Sequence, residues 1–444
     1  MHLFPQLRKL EKKYEKELAV IGVHSAKFPT EQETESVRMA ILRYEIGHPV
    51  INDSQFKVWK SYACRAWPTI MFLDPEGRVI GKHEGEIPYD AFDRLLEEMV
   101  KEYDAKGLMD RRPLDYRLES LEGAPLSFPG KVLADEASER LFISDSNHNR
   151  IVQTTLEGEV VQTIGGVTPG FQDGDFVLAA FDHPQGMALE GDLLYIADTE
   201  NHAIRKVDLA QGYVETLTGT GQQGPFGNAG GKLKDSALNS PWDLTLHQGV
   251  LYIAMAGPHQ LWSLAQSENQ VAPYAGSGRE DIADGPLSSA ALAQPSGITN
   301  DGHKLYFADS ETSSIRTADL DRNGRVNTIV GQGLFEFGDV DGTGPEVRLQ
   351  HPLGICWHDG VLYIADAYNH KIKKVYPNTQ AAMTFLGTGE RGSQDGPGNE
   401  ATFYEPGGVS VANGKLYVAD TNNHAIRVAD LATGEVTTLV IRGL

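Results

Sequence analysis

The chain has 444 residues, enough for two or three domains, and 61 aspartates and glutamates against 39 lysines and arginines, a net charge of −22. Residues 1–112 hold 18 basic and 19 acidic side chains, so the excess lies in the later part, where it argues against nucleic acid as a partner. No apolar run is long enough to span a membrane, and two cysteines, Cys64 and Cys356, exclude a disulfide framework and a cysteine-rich zinc site.

The N-terminal segment is amphipathic. Phe4, Leu7, Leu10 and Tyr14 recur at helical spacing with Lys and Glu between them, which predicts a helix over residues 4–17. The segment lacks the apolar core of a signal peptide. We therefore expect the protein to be cytoplasmic.

Residues 1–107 alternate between strand-like and helix-like stretches. The predicted elements that follow the first helix are a strand at 18–23, a helix at 31–44, a strand at 49–53, a helix at 56–62, a hairpin at 68–80 and a helix at 89–103. Alternating strands and helices with a closing hairpin and helix predict an α/β sandwich. Residues 108–127 are interpreted as a linker.

The order of these elements resembles the thioredoxin fold from its first helix onward. The stretch Trp67-Pro68-Thr69 opens the hairpin and matches the cis-proline segment of thioredoxin-like proteins, which faces the redox site. The resemblance implies that Trp67, Pro68 and Thr69 line such a site and that the bond before Pro68 is cis. It also implies a first strand and a Cys-x-x-Cys pair, and this sequence contains neither.

From residue 128 onward one pattern recurs six times. Each copy has a proline, a short apolar run, a turn, a strand such as residues 194–198, a polar turn and a further strand. The prolines lie 54 to 57 residues apart and are Pro129, Pro184, Pro241, Pro295, Pro352 and Pro406. The strands are apolar at nearly every position, which is typical of strands covered on both faces. About four strands per copy, repeated radially, predict a six-bladed β-propeller over residues 128–441.

A polar motif, Asp-x-x-Asn-His-x-Ile, links the two middle strands of a copy. Its clearest occurrences are Asp198, Asn201 and His202; Asp366, Asn369 and His370; and Asp420, Asn423 and His424. These residues resemble the NHL repeat, in register through the six copies. Because the motif recurs around the ring, we expect its side chains to hydrogen-bond the turn backbone and to have a structural role.

The two regions together resemble the NHL-repeat-containing thioredoxin-like proteins, as do the stretches at residues 19–28 and 40–54. In that family a Cys-x-Asn-Cys motif precedes the first helix. The resemblance implies thiol–disulfide exchange if the cysteine pair lies upstream of Met1, with the propeller docking a protein partner or a small-molecule substrate. We accordingly interpret the sequence as N-terminally truncated. The rival interpretation is a degenerate, non-catalytic first domain.

Few residues remain for other chemistry. Cys64 is a weak candidate nucleophile, because it has no resolving cysteine. Asp-Gly pairs at residues 173, 284, 341 and 395 offer oxygen ligands for calcium, but they lack the acidic spacing of a dedicated site. The third copy has Trp242-Asp243 where most others have x-Gly, and such departures mark either function or drift. We predict no cofactor and no bound metal.

Three functional hypotheses follow. The first is a thiol-redox-related protein with a docking propeller, and the second is a non-catalytic interaction scaffold. The third is a metal-dependent hydrolase or lyase, resembling the propeller enzymes that hold a metal in the central funnel. It is the least favoured, because the sequence offers no non-repeating set of acidic and histidine residues to build that site.

Overall fold

The computed structural model describes residues 3–85, 87, 89–112, 114–119 and 123–444. These form two compact units, Met1–Gly123 and Ala124–Leu444, so the division falls inside the segment predicted as a linker. None of the helices in the described ranges combines the length and the hydropathy needed to span a bilayer.

The first unit is α/β. Its elements are α1 (Phe4–Lys13), β1 (Gly22–His24), α2 (Thr34–Arg43), β2 (Val50–Asn52), α3 (Lys57–Ser61), β3 (Thr69–Leu73), β4 (Val79–Glu84) and α4 (Tyr89–Ala105). Its main hydrophobic cluster joins α1 and α4 to the hairpin: Leu10 of α1 and Tyr14, the residue after α1, pack with Phe92 and Leu96 of α4 and with Phe72 of β3. Of the four apolar positions at helical spacing, Leu7, Leu10 and Tyr14 therefore face this core, whereas Phe4 stacks on Tyr44.

The strands of this unit form two separate pairs. Strand β1 lies parallel to β2, with Gly22 opposite Val50, and β3 lies antiparallel to β4, with Thr69 opposite Glu84. Among the described residues no ladder joins the two pairs. The first strand begins at Gly22, four residues later than expected, because the chain first completes a turn in which Leu18 N–H bonds the carbonyl of Tyr14.

The second unit consists of six antiparallel sheets, named here blades one to six in chain order. The strands of blades one to three are β5 (Pro129–Asp135), β6 (Arg140–Asp145), β7 (Arg150–Thr155), β8 (Val160–Ile164), β9 (Gly174–Asp175), β10 (Pro184–Glu190), β11 (Leu193–Asp198), β12 (Ala203–Asp208), β13 (Tyr213–Thr218), β14 (Gly231–Lys232), β15 (Pro241–His247), β16 (Val250–Met255), β17 (Gln260–Ala265) and β18 (Gln270–Ala275).

The strands of blades four to six are β19 (Gly285–Pro286), β20 (Pro295–Asn300), β21 (Lys304–Asp309), β22 (Ser314–Asp319), β23 (Arg325–Val330), β24 (Gly342–Thr343), β25 (Pro352–His358), β26 (Val361–Asp366), β27 (Lys371–Tyr376), β28 (Ala381–Leu386), β29 (Gly396–Pro397), β30 (Pro406–Ala412), β31 (Lys415–Asp420), β32 (Ala425–Asp430) and β33 (Glu435–Thr438).

The blades close into a ring. The strand that starts at the repeat proline, called the inner strand here, contacts the inner strand of the next blade all the way round, and β30 contacts β5. The six-bladed propeller predicted from the sequence is thus confirmed. The prediction of four strands per blade holds for blade one, whereas each other blade has a further two-residue strand on its outer edge.

Neighbouring blades bury both faces of their middle strands. Between blades two and three, for example, Tyr195 and Ile204 pack with Ile253 and Leu264, all of them buried. This two-sided burial explains why the middle strands are apolar at consecutive positions.

The C-terminal end of the chain adds a contact to blade one. Val160 N–H donates to the carbonyl of Arg442 at 2.9 Å, and Arg442 N–H donates to the carbonyl of Gly158 at 3.0 Å. Blade one therefore gains at Arg442 the outer pairing that a two-residue strand provides in the other blades.

The glycine two residues after the repeat proline is required by close packing of the inner strands. A Cβ atom at Gly186 would lie 2.3 Å from Cα of Asp243, and one at Gly297 would lie 2.6 Å from the carbonyl oxygen of Leu353. Real Cβ atoms do not approach backbone this closely, so a side chain here pushes two blades apart.

We expect Gly186→Ala to lower the free energy of unfolding by about 1–3 kcal/mol, because the neighbouring backbone has to move. Urea unfolding followed by circular dichroism measures this. Gly166→Ala is the matched control, since nothing lies within 4 Å of its Cβ position, and we expect a change of less than about 0.5 kcal/mol. Equal losses in the two variants would contradict the packing argument.

Candidate functional site

The structure places Trp67 and Pro68 directly before β3. The peptide bond between them is cis, the isomer that the sequence predicts. The indole N–H of Trp67 donates to the carbonyl of Ser25 at 2.7 Å, and its ring lies 4.5 Å from that of Trp59. The side chain of Thr69 donates to the carbonyl of Ala66 at 2.6 Å. Trp67 is thus held on two sides while 48% of its surface stays exposed.

The buried carboxylate of Asp53 holds the two residues that contact Trp67. Asp53 accepts hydrogen bonds from the hydroxyl of Ser25 at 2.8 Å, from Val58 N–H at 3.0 Å and from Trp59 N–H at 2.9 Å. Burial opposes its ionisation, but these hydrogen bonds outweigh burial and hold the pKa of Asp53 below its usual value. The carboxylate therefore ties the start of α3 to the segment that binds Trp67.

Cys64 lies near this surface in sequence but has no partner thiol. Its N–H donates to the carbonyl of Trp59 at 3.1 Å, and both cysteines of the chain are free. Disulfide exchange in two steps needs a second cysteine to resolve the mixed disulfide. The nucleophilic role of Cys64 stays a prediction.

The histidines of the repeat motif join successive blades. The Nδ1 atom of each accepts the N–H of the residue before the next repeat proline. These pairs are His202 with Ser240, His259 with Gln294, His370 with Glu405 and His424 with Phe128, at 3.0–3.2 Å. The other two junctions use Asn149 Oδ1 on His183 and Ser313 Oγ on His351. Every blade junction therefore has a side-chain acceptor at this point.

These junction bonds require a neutral imidazole. Burial lowers the pKa of His259 and of His424, which favours the neutral imidazole, the form whose ring nitrogen can accept a hydrogen bond. The residue that donates has a left-handed backbone, with φ of 46° at Phe128 and 59° at Gln294. The junction bond helps to hold this uncommon conformation.

The aspartate of the motif anchors the same junction from within a blade. Asp198 accepts the N–H of Asp182 at 2.8 Å, the amide of Asn201 at 2.9 Å and the guanidinium of Arg205 at 2.8 Å. Arg205 is fully buried and also binds Asp173. Asn369 and Asn423 donate in the same way to Asp366 and Asp420. The motif residues thus bind backbone and one another, as a scaffold does.

The aspartates of the Asp-Gly pairs bind cations of the protein itself. Asp173 accepts from Arg205, and the equivalent pairs are Asp284 with Arg316, Asp341 with Lys373 and Asp395 with Arg427. Each carboxylate also accepts from the fourth long strand of its blade, for example from the hydroxyl of Thr216 in β13. These carboxylates therefore bind the strands at the edge of each blade, and this structural role explains why the Asp-Gly pair recurs.

The inner strands surround a cavity of about 230 Å³ on the propeller axis. Its polar lining includes the side chains of Thr245, Thr299, Cys356 and Ser410, which occupy the same position on four inner strands. Burial raises the pKa of Cys356 to about 11, so its thiol stays protonated near neutral pH. Cys356, interpreted from the sequence as packing, thus faces the cavity without being a poised nucleophile.

A buried ion pair lies beside this cavity. Lys131 and Asp243 stand two residues after their repeat prolines, at the two positions where the repeat glycine is missing. The Lys131 ammonium group donates to the carbonyls of Ser296 at 2.9 Å and Leu353 at 2.6 Å and lies 3.3 Å from Asp243 Oδ2. The pair therefore ties blade one to blades three, four and five.

Burial disfavours the charge on both partners. It lowers the pKa of Lys131 and raises that of Asp243, and their mutual attraction opposes each shift. Asp243 also accepts from Leu244 N–H at 2.9 Å and Ile298 N–H at 3.2 Å. The three ammonium protons of Lys131 face three acceptors, so the amine is not available as a nucleophile.

The sequence indicates this pair through the two replacements of the repeat glycine, of which only the one at Asp243 is easily noticed. Asp243 stands out as a departure from x-Gly, whereas Lys131, the second departure, is easily missed because Gly130 directly precedes it. Two opposite charges at equivalent positions of a closed ring are a sign of pairing across the axis.

The motif geometry agrees with a known repeat. A family model described as "NHL repeat" matches residues 181–207 and 403–429, which hold the motif copies of blades two and six. The propeller therefore contains NHL repeats.

Its relatives align with both units. "Protein SUPPRESSOR OF QUENCHING 1, chloroplastic" from Arabidopsis thaliana is 44% identical over 468 residues, covering 100% of this chain and 44% of that protein. "NHL repeat-containing protein 2" is 41% identical in Gallus gallus and 40% identical in Homo sapiens, in each case covering 99% of this chain and 66% of the relative. The NHL-repeat chain thus spans less than two thirds of each of these relatives.

We expect Lys131→Met to lower the free energy of unfolding by about 3–5 kcal/mol, because it leaves a buried carboxylate unpaired. Asp243→Asn should cost less, since the amide still accepts, and the double variant should lose less than the sum of the two. Urea unfolding of the three variants gives the coupling energy. Lys415→Met, at an exposed position, is the control. Strict additivity of the two losses would show that the pair is not coupled.

His424 closes the ring, so its acceptor is expected to matter for stability. His424→Ala should cost about 1–3 kcal/mol, because Phe128 N–H loses its partner. His424→Asn should cost less, since Asn149 performs this role at the next junction. Urea unfolding of both variants measures the difference, and equal losses would show that the acceptor atom is not what matters.

The pKa of His424 also determines how pH affects the stability that its bond to Phe128 provides. Because the pKa of His424 in the folded protein is below its ordinary value of 6.5, the folded state binds fewer protons than the unfolded state. Stability is therefore expected to fall as the pH drops below about 6.5. His424→Asn should lose less stability than the wild type between about pH 7.5 and 5.5, as measured by urea unfolding. An equal loss in both proteins would refute this assignment.

Proposed function

We propose that this NHL-repeat protein is thiol-redox-related: the α/β unit has a thioredoxin-like fold and acts on a disulfide or thiol partner, and the propeller binds that partner. The observation that carries the proposal is the surface at Trp67. An aromatic side chain that is held rigidly yet half exposed is a typical anchor for a partner chain.

The contacts of Trp67 support a binding role over a packing role. Its ring rests on Trp59 and its N–H is bonded to Ser25, so little conformational entropy is lost when a partner covers the exposed face. The carboxylate of Asp53 holds Ser25 and Trp59 in turn. Because Trp67 is already held in place, little of the free energy gained by covering its exposed apolar surface is lost to side-chain ordering.

The proposal needs a reactive cysteine pair, which the family resemblance places before the first helix. The two cysteines of the sequence, Cys64 and Cys356, belong to different units. The separate strand pairs β1–β2 and β3–β4 support a further strand that joins them, which in a thioredoxin-like sheet leads into the cysteine pair.

A protein-interaction role without thiol chemistry is the second candidate. It is favoured by large apolar side chains on the segments between blades, where they contribute little to the core. The most exposed are Val167, Val177, Leu178, Phe226 and Phe335. Under this hypothesis partner binding is unchanged after all thiols have been alkylated, whereas the redox proposal requires free thiols.

An insulin-reduction assay tests the redox proposal. Residues 1–444 and their Cys64→Ser variant are expected to show only the background rate of dithiothreitol. The same residues preceded by the upstream segment with its cysteine pair are expected to be at least about tenfold faster. Trp67→Ala in that longer form should raise KM about tenfold with little change in kcat, equivalent to about 1.4 kcal/mol of binding.

Tyr116→Ala is the matched control. Tyr116 is an aromatic residue of the first unit with 44% exposure, close to that of Trp67, and its hydroxyl donates to the carbonyl of Gly47. Equal turnover by the short and long forms would refute the redox proposal, and an equal rise of KM in the two aromatic variants would refute the role of Trp67.

A further inference from the structure

Three ligand-type side chains meet at the start of blade two. Asp182 and His183 directly precede β10, and Glu200 lies in the turn between β11 and β12. His183 Nδ1 is 2.8 Å from Asp182 Oδ1 and 3.8 Å from Glu200 Oε2. All three ligand atoms lie within 4.8 Å of one another, and the described residues contain no other such group of three.

The bonds that recur at these positions of the propeller are made by the backbone. Glu200 N–H donates to the carbonyl of Asp182 at 3.1 Å, and His183 N–H donates to Asn149 at 3.0 Å. The corresponding backbone bond in blade one joins Asn147 to Ser127, with no acidic residue present. The three side chains of blade two are therefore not explained by the repeat.

The other blades lack the combination. The residues at the three positions are Ser127, Phe128 and Asn147; Asn239, Ser240 and Gly257; Ala293, Gln294 and Glu311; Gln350, His351 and Tyr368; and Tyr404, Glu405 and Asn422. Blade two is the one in which all three are metal-ligand types, as a site built at one place in a repeated framework requires.

The charge of the cluster favours a cation. Two carboxylates face one imidazole, and the side chains of Asp182, His183 and Glu200 are only 27%, 9% and 16% exposed. Placing two negative charges together away from water is unfavourable unless positive charge lies between them. A divalent ion among the three ligand atoms meets this need.

We propose that Asp182, His183 and Glu200 bind a divalent transition metal ion, Zn²⁺ in first place. A neutral imidazole nitrogen with two carboxylate oxygens is a donor set that zinc accepts. Ligand distances of about 2.0–2.2 Å put ligand atoms roughly 3–3.5 Å apart. His183 Nδ1 lies 2.8 Å from Asp182 and 3.8 Å from Glu200, so shifts of the side chains bring the three atoms to that spacing. An imidazolium releases its Nδ1 proton to solvent as the metal binds, whereas a neutral ring carries its single proton on Nε2 in the metal-bound form.

Three protein ligands leave a fourth tetrahedral position for water or a ligand oxygen. Calcium and magnesium prefer six or more oxygen ligands and are not favoured by this set. None of the three residues lines the axial cavity beside Lys131, so this site differs from the metal that propeller enzymes hold in the central funnel.

The test is isothermal titration of the chelator-treated protein with Zn²⁺, and separately with Mn²⁺ and Ca²⁺. We expect one equivalent of Zn²⁺ to bind, Mn²⁺ to bind at least about tenfold more weakly, and Ca²⁺ not to bind. His183→Ala should abolish stoichiometric binding, and Glu200→Gln and Asp182→Asn should each weaken it at least about tenfold. Zn²⁺ should raise the Tm of the wild type but not of these variants.

His351→Ala is the matched control, because His351 occupies the same repeat position with a single carboxylate, Glu311, 3.6 Å away. It should bind Zn²⁺ within about twofold of the wild type. Loss of metal in this variant, or unchanged affinity in Glu200→Gln, would place the metal elsewhere and overturn the proposal. Absence of stoichiometric Zn²⁺ binding to the wild type would also overturn it. If His183→Ala does not fold, the two carboxamide variants decide the question.

Discussion

The propeller depends on how closely the backbones of its six inner strands approach one another around the axis. A single methylene group at Gly186 or Gly297 would overlap the neighbouring strand, so the ring closes only where the repeat omits a side chain. The two exceptions, Lys131 and Asp243, are accommodated because they bind each other and the free carbonyls of blades four and five. Tight packing of glycines and the buried Lys131–Asp243 ion pair thus stabilise the ring at the same repeat position, two residues after the proline.

A second set of interactions joins the blades at the start of each inner strand. There the motif aspartate, asparagine and histidine each bind backbone or a buried arginine, and the histidine nitrogen reaches the next blade. His424 makes the same bond to Phe128, so the last blade is joined to the first in the way that three other pairs of neighbouring blades are joined. The recurrence of the motif reflects a role repeated at each junction, which leaves the departures from the repeat as the places for specific chemistry.

We assign different roles to different parts of the molecule. In the α/β unit, Trp67 offers a rigid apolar surface, and the proposed redox role rests on it. In the propeller, the saturated contacts of Lys131 indicate stabilisation of the ring, whereas Asp182, His183 and Glu200 combine three ligand-type side chains at a place where the other blades do not. The aligned relatives cover both units, and the chain spans less than two thirds of each of them.

The sequence by itself determined the six blades and the α/β character of the first unit, because strand burial and turn chemistry are local and repeat at a fixed period. It also indicated the cis bond at Pro68, through a family resemblance. It could not determine which residues meet across the ring: Lys131 and Asp243 are 112 positions apart, and only ring closure brings them together. The cluster of His183 with Glu200 likewise depends on the pairing of β10 with β11, since the two residues are 17 positions apart along the chain. Contacts between distant residues are set by tertiary packing, and the candidate sites consist of such contacts.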